Sequence, residues 1–258
     1  MGFNIGMGRR LLLALFSCSA FLVTDGQAAF ALEAFPAAPT DATVEASLAP
    51  DRLGARGSLT VTLRYYGGED GVPAPVRRSV LQLPAGLTLD IPALHSCSAA
   101  RLRARGPGAC PGQSLLGRGH ALMEVHAGSQ TITEQVSMWA FLGPLSAQNL
   151  EPTFEIVGQG YTPVDERKVL SGTVTTASSP YGEQLALSIP PIPSLALLPD
   201  TSIATFSLTI GASGRDSPPT GAQVVVPSSC PSGGFPFAGE FQYADGSKGS
   251  ASTKVPCP

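Results

Sequence analysis

The residues best suited to chemistry lie in one short segment, Gly119-His-Ala-Leu-Met-Glu-Val-His126. On a β-strand, successive side chains point to opposite faces, so His120, Glu124 and His126 share one face. Two imidazoles and a carboxylate in one row can supply metal ligands or a general acid and base. The same row is also typical of the solvated face of an edge strand, and the sequence identifies no further group that would converge on it from elsewhere in the chain. These three residues are the catalytic candidates, and we predict no metal or cofactor.

Aromatic residues form the second group of candidates, because a ring face packs well against the C–H side of a sugar. Trp139, Tyr65 and Tyr66 are the rings that such a glycan-binding platform would use. Trp139 lies within Met138–Leu142, a run that is apolar on both faces of a strand. Because a tryptophan contributes a large buried area, this run favours a place in the core for Trp139.

Other chemistry is poorly represented. The chain has no HExxH, Walker or GxGxxG motif, and Gly211-Ala-Ser-Gly-Arg215 departs from the nucleophile elbow at its last residue. With 16 Lys and Arg against 19 Asp and Glu, the chain is mildly acidic. Because phosphate neutralisation dominates affinity for nucleic acid, we expect no nucleic-acid partner. Oxygen donors in Glu69–Gly71 and Asp245–Ser247 would suit calcium, but Asp-Gly is first of all a turn signal.

The elements that must position these residues are predicted to be short β-strands. The chain has 29 Gly and 24 Pro, which indicates many turns and few long helices. Leu59, Val61, Leu63 and Tyr65 alternate with polar residues, as expected of a half-buried strand. Period-two patterning and turn residues predict strands over 43–49, 59–65, 76–83, 119–127, 131–142, 152–157, 168–176, 184–189, 203–210, 222–226, 238–243 and 250–255.

One short helix is predicted between residues 98 and 105, with Ser96 or Ser98 as its cap and Gly106 as its end. About a dozen short strands indicate an all-β fold, a large antiparallel β-sandwich or jelly-roll-like domain over residues 32–258. Two smaller subdomains divided near 145–165 are the alternative.

The first 31 residues have the pattern of a secretory signal peptide. Arg9 and Arg10 precede the apolar run Leu11–Val23, and Ala29-Phe-Ala31 offers a cleavage site. The apolar run is shorter than the roughly 20 residues of a membrane span, so we expect no span in the mature chain. The segment Leu15–Cys18 resembles a lipoprotein cleavage box, but Phe16 fits it poorly.

Removing that signal would leave four cysteines: Cys97, Cys110, Cys230 and Cys257. An even number in an exported chain favours disulfides, and the absence of Cys-x-x-Cys spacing argues against a metal site. Three pairings are possible. We favour Cys97–Cys110 and Cys230–Cys257, because each of these closes a local loop.

Two cysteine-containing segments carry a resemblance. Cys97-Ser-Ala-Ala-Arg-Leu102 and Cys230-Pro-Ser-Gly-Gly-Phe235, together with Phe206–Gly211, resemble secreted β-rich proteins of high-GC Gram-positive bacteria that have no assigned function. The resemblance implies an exported β-rich fold and no particular activity. We expect a non-enzymatic protein, secreted or held at the cell surface, whose partner is a cell-wall or extracellular glycan or a protein. A secreted hydrolase is the alternative hypothesis.

Overall fold

The computed structural model describes residues 40–68, 71–91, 95–145, 152–161, 165–194, 198–211 and 222–258. They form thirteen β-strands and one short α-helix, with 3₁₀ turns at Pro107–Ala109 and Gly112–Ser114. The strands are β1 (Thr40–Ala49), β2 (Arg56–Gly67), β3 (Val76–Pro84), β4 (Thr88–Asp90), β5 (Leu115–Ala127), β6 (Gln130–Leu142), β7 (Thr153–Gln159), β8 (Arg167–Thr176), β9 (Tyr181–Ser188), β10 (Ser202–Gly211), β11 (Gln223–Val225), β12 (Phe235–Tyr243) and β13 (Lys248–Val255), and the helix is α1 (Ala99–Arg105).

The strands follow the alternation of the sequence closely. In β2, Leu59, Val61 and Leu63 are buried. The intervening Thr60 and Thr62 face the other way, where their hydroxyls contact those of β10 at 2.8 and 3.0 Å. The twelve predicted strands are all present, and β4 is the one strand among the described residues that the sequence did not predict. It has only three residues, too few to show a period.

All the strand pairs are antiparallel and belong to one continuous sheet. Its order is β13-β12-β3-β9-β8-β7-β6-β5-β10-β2-β11-β4, and β1 pairs with β2. β1 also lies against β13, so the sheet folds over on itself. Side chains of β2 and β10 face those of β3, β7 and β9 across the interior. The predicted all-β, sandwich-like antiparallel fold is therefore confirmed.

An aromatic cluster lies inside this rolled sheet. Phe235, Phe237, Phe241 and Tyr243 of β12 are each at most 3% exposed. The ring of Tyr65 packs edge-on against Phe241, with a centroid distance of 5.1 Å, and against Tyr243 at 6.3 Å. Edge-to-face aromatic pairs contribute stabilisation beyond that of burying apolar surface. This cluster therefore stabilises the contact between β2 and β12.

The helix covers part of the outer surface of the sheet. Ser98 caps α1 by accepting a hydrogen bond from the amide of Arg101, and Gly106 ends the helix at a φ of 75°. Leu102 is fully buried in a second apolar cluster whose other buried members are Cys97, Leu115, Phe141, Val157 and Val169. The predicted helix and one of its two predicted caps are confirmed.

Both favoured disulfides are present. Cys97–Cys110 ties the two ends of the α1 segment, with Cα atoms 5.5 Å apart. Cys230–Cys257 joins the segments that flank the β12–β13 hairpin, with Cα atoms 6.0 Å apart. The local pairing is confirmed. The predicted signal peptide and Cys18 lie outside the described residues.

The boundary considered near 145–165 falls between strands that pair with each other. Ser137 to Leu142 of β6 pair with Gln159 to Phe154 of β7, so the strands on the two sides of this boundary belong to one sheet. Within the described ranges, no helix has the length and apolar character needed to cross a membrane.

Candidate functional site: the apolar interior

Three adjoining cavities run through the interior of the rolled sheet. The central cavity, about 80 Å³, is lined by apolar side chains of β2, β3, β7, β9 and β10. It shares Ile156, Ile203 and Phe206 with a second cavity of about 80 Å³, here called the Glu134 cavity. On its other side it shares Leu185 and Leu208 with a third cavity of about 240 Å³, here called the Glu183 cavity.

Small residues at inward-facing positions leave this space open. Ala121, Gly158 and Gly160 line the Glu134 cavity, and Ala140 lines the Glu183 cavity. Ala140 is 1% exposed and stands opposite Ile156 in the β6–β7 ladder. Ala121, Ala140 and Gly160 are buried, so the interior is covered at these three positions without being filled by side chains.

Two of the three cavities, the Glu134 cavity and the Glu183 cavity, lie along the inner face of β6. Val136 and Met138 line the Glu134 cavity, and Ala140 and Leu142 line the Glu183 cavity. From Glu134 to Leu142 the strand advances by about 27 Å at a rise of about 3.4 Å per residue. The apolar space is thus elongated, a shape that suits a chain-like ligand better than a compact one.

One end of this space carries charged groups. Glu134 stands opposite Met123 in the β5–β6 ladder, which places its carboxylate on the inner face. Its Oε1 atom is buried and has no hydrogen-bond partner within the described part of the chain. Nearby, Lys168 Nζ lies 2.5 Å from Glu166 Oε1, and their side chains are 28% and 37% exposed. Because both residues line the Glu134 cavity, the cavity reaches the surface here.

Among the described residues, the other end of this space carries one acid. Glu183 lines the largest of the three interior cavities together with Leu83, Leu87 and Leu185. Loss of hydration in these surroundings raises the pKa of its carboxyl above the ordinary value of 4.5. The interior therefore has a carboxyl group toward each end and apolar walls between them.

Sequence reasoning missed both acids, although the strand pattern contains a signal for Glu134. In β6, Glu134 alternates in register with Val136 and Met138, whereas Thr133 and Gln135 belong to the polar face. An acid on the apolar face of an amphipathic strand marks either an interior site or a strand end, and the sequence alone does not distinguish the two.

The catalytic candidates lie on the outside of the sheet. His120 is exposed, and Glu124 and His126 are half-buried in the same row of β5. Glu124 stands opposite Thr133 and Ser202, and partial burial raises the pKa of its carboxyl. Within the described ranges, no group of three or more His, Cys, Asp or Glu is arranged to hold a metal ion. The predicted shared face is present, but within the described ranges its His and Glu side chains do not form a metal-binding group.

The three aromatic candidates do not form one platform. Tyr65 is 5% exposed and belongs to the interior cluster, where burial raises its hydroxyl pKa. The structure thus corrects its assignment to a surface platform, because the alternation of β2 turns Tyr65 inward and Tyr66 outward. Tyr66 is 49% exposed.

Trp139 is half-buried against the cluster beneath α1. In the sheet Trp139 pairs with Arg118 of β5, and Arg118 pairs in turn with Thr209 of β10. Thr209 pairs with Thr60 of β2, so Trp139 and Thr60 lie at the same level of the sheet. Tyr66 is therefore separated from Trp139 by three strand spacings, about 14 Å, and by six residues along β2, about 20 Å. One sugar ring cannot contact both residues.

The proposed calcium loops receive no support from the geometry. Asp245 Oδ1 accepts hydrogen bonds from the amide and hydroxyl of Ser247, at 2.8 and 2.6 Å, and Gly246 has a φ of 84°. This is the side-chain-capped turn that the Asp-Gly pair predicts for a hairpin. Glu69 and Asp70 lie outside the described residues.

A groove of about 410 Å³, lined by both polar and apolar residues, lies over β7, β8 and β9. In its wall the buried Glu155 carboxylate accepts a hydrogen bond from Ser171 at 2.5 Å. Burial raises the pKa of Glu155, and Ser171 and Arg103 oppose that rise. Because Glu155 already has a donor and a nearby cation, its geometry is accounted for without a ligand.

No protein-family model, curated protein or solved structure matches this chain. The structure itself shows an all-β protein with two local disulfides, whose antiparallel sheet encloses a row of adjoining apolar cavities.

Proposed function

We propose that the protein is an exported, non-enzymatic binding protein that holds an apolar, chain-like ligand inside its rolled sheet. The observation that carries this proposal is the row of three adjoining cavities, which share lining residues. Protein interiors are usually packed to crystal-like density, with few voids larger than a water molecule. Elongated apolar space of this size, with polar groups toward its ends, is typical of a site for an amphiphilic molecule.

Export is supported by two features of the chain. The disulfides Cys97–Cys110 and Cys230–Cys257 are of a kind that persists in oxidising compartments. The first 31 residues have a basic start, an apolar run and small residues, as a secretory signal does. An exported carrier of an apolar molecule would shield that molecule from water.

The glycan hypothesis has less support. Tyr65 faces the interior, Trp139 is partly covered by the α1 cluster, and Tyr66 stands apart from both. A single exposed tyrosine gives little stacking area. The hydrolase alternative depends on His120, Glu124 and His126, which form a row on the outer face of one strand, whereas a catalytic site needs groups that converge from several elements.

The test is a titration of the oxidised protein with straight-chain alcohols of increasing length, below their micellar concentrations, by isothermal calorimetry. Burying a methylene is worth about 0.8 kcal/mol, so each added carbon should tighten the Kd about fourfold until the cavity is filled. The heat capacity change of binding should be negative, because apolar surface leaves water.

A flat dependence on chain length, or no binding by any alcohol, would contradict the proposal. Retention of the protein on isolated cell wall, released by a soluble sugar and accompanied by no alcohol binding, would establish the glycan hypothesis in its place.

A further inference from the structure

Glu134 has a buried acceptor atom to which the structure assigns no donor. Its Oε1 atom lies out of contact with water and without a hydrogen-bond partner in the described part of the chain. An ionised carboxylate can only accept hydrogen bonds. Buried polar atoms in folded proteins nearly always have a partner, since leaving one unpaired is unfavourable. The carboxylate also lines a cavity, so a molecule in that cavity can supply the donor.

From this arrangement we propose that the interior binds a single-chain amphiphile whose polar end donates a hydrogen bond to Glu134. The inference rests on the proposed function, and it adds the chemistry and the position of the ligand's polar group. The alkyl chain would then extend from the Glu134 cavity through the central cavity toward Leu185 and Leu208.

The charges at this end decide which polar groups fit. Glu134 and Glu166 are acidic, and Lys168, the cation lining this cavity, is paired with Glu166 at 2.5 Å. A carboxylate head would therefore meet Glu134 as a like charge and would find Lys168 already engaged. An ammonium head donates hydrogen bonds and carries the opposite charge, and a hydroxyl head donates without charge. The expected order of affinity is amine, then alcohol, then carboxylate.

The position of the polar group follows from the openings. Glu166 and Lys168 keep 37% and 28% of their side-chain area exposed, so a head group at Glu134 lies close to water. Glu183, at the far end, provides the comparison, because it is the acid that would receive the head group if the ligand lay in the opposite direction.

The experiment compares dodecylamine, dodecanol and dodecanoate, below their micellar concentrations and at about pH 7, by calorimetry on the wild-type protein and on Glu134→Gln and Glu183→Gln variants. A charge-assisted hydrogen bond should make the amine bind at least about tenfold more tightly than the carboxylate to the wild-type protein. Glu134→Gln should reduce that preference to within about threefold, whereas Glu183→Gln should reduce it less than Glu134→Gln does. Glu134→Asp, which withdraws the carboxylate by one methylene, should give an intermediate preference and provides a second variant if the first folds poorly.

Several outcomes would overturn the assignment. Equal binding of the three ligands, tighter binding of the carboxylate, or loss of the preference in Glu183→Gln but not in Glu134→Gln would each show that Glu134 does not receive the head group. Failure of all three ligands to bind would count against the proposed function itself, so the two failures are distinguishable.

Discussion

The interior cavity predicts that the protein can be stabilised by filling it. Replacing Ala140 by Leu adds three carbons at a position that is 1% exposed and lines the 240 Å³ cavity. At about 0.8 kcal/mol per buried methylene the gain is at most about 2.4 kcal/mol. Ordering the leucine side chain costs about 0.5–1 kcal/mol, which leaves a net gain of about 1.5 kcal/mol. For a domain of this size, that corresponds to a rise in Tm of about 3–6 °C.

The measurement is thermal and urea denaturation of the two proteins, together with alcohol titration. Ala140→Leu should raise the Tm and the urea midpoint and should weaken alcohol binding, because the new side chain occupies ligand space. Ala222→Leu is the matched control. Ala222 is fully buried but does not line any of the three cavities, so the same added carbons should overpack it and cost about 1–3 kcal/mol.

A destabilisation by Ala140→Leu as large as that by Ala222→Leu would mean that the interior beside Ala140 is close-packed in solution. The apolar-ligand proposal would then lose the observation that carries it.

Two further predictions concern stability. Burial raises the pKa of the Glu183 carboxyl in the folded protein. The contribution of this carboxyl to the free energy of unfolding is therefore fully present below the unfolded-state pKa near 4.5, and it is lost as pH rises through the pKa of the folded state. Glu183→Gln should therefore raise the urea midpoint at neutral pH more than at pH about 4; an equal shift at both pH values would contradict the assigned cause. Replacing Cys97 and Cys110 by Ser should lower the free energy of unfolding by about 3 kcal/mol. Replacing Cys230 and Cys257 by Ser should lower it by about 3.5 kcal/mol, because the loop that this disulfide closes is longer. Urea denaturation tests this order, and a larger loss for the first pair would show that chain entropy does not dominate.

Much of the fold could be predicted from local patterns. In β2, Leu59, Val61 and Leu63 alternate with threonines, and this alternation predicts a strand with one apolar face and one polar face. Ser98 and Gly106 bound the helix because capping depends on neighbouring residues. β4 was missed because three residues cannot show a period; its pairing with β11 depends on residues far away in the chain.

The candidate site could not be predicted in this way. The sequence places His120, Glu124 and His126 on one face of a strand, and the structure agrees. Whether a functional group from another element converges on them depends on which strands become neighbours. Tyr65 and Tyr66 could be assigned to opposite faces, yet only the folding over of the sheet decides which face is the interior.

By itself, the sequence determined all the described strands except β4, their two faces, the short helix and the local disulfide pairs, because each depends on residues close together in the chain. The tertiary structure alone decided that the sheet folds over on itself, that small residues such as Ala121 and Ala140 leave a hollow interior, and that Glu134 and Glu183 lie toward its two ends. The reason is physical: a cavity is the space left between side chains of distant strands, and no local pattern records how well those side chains fill it.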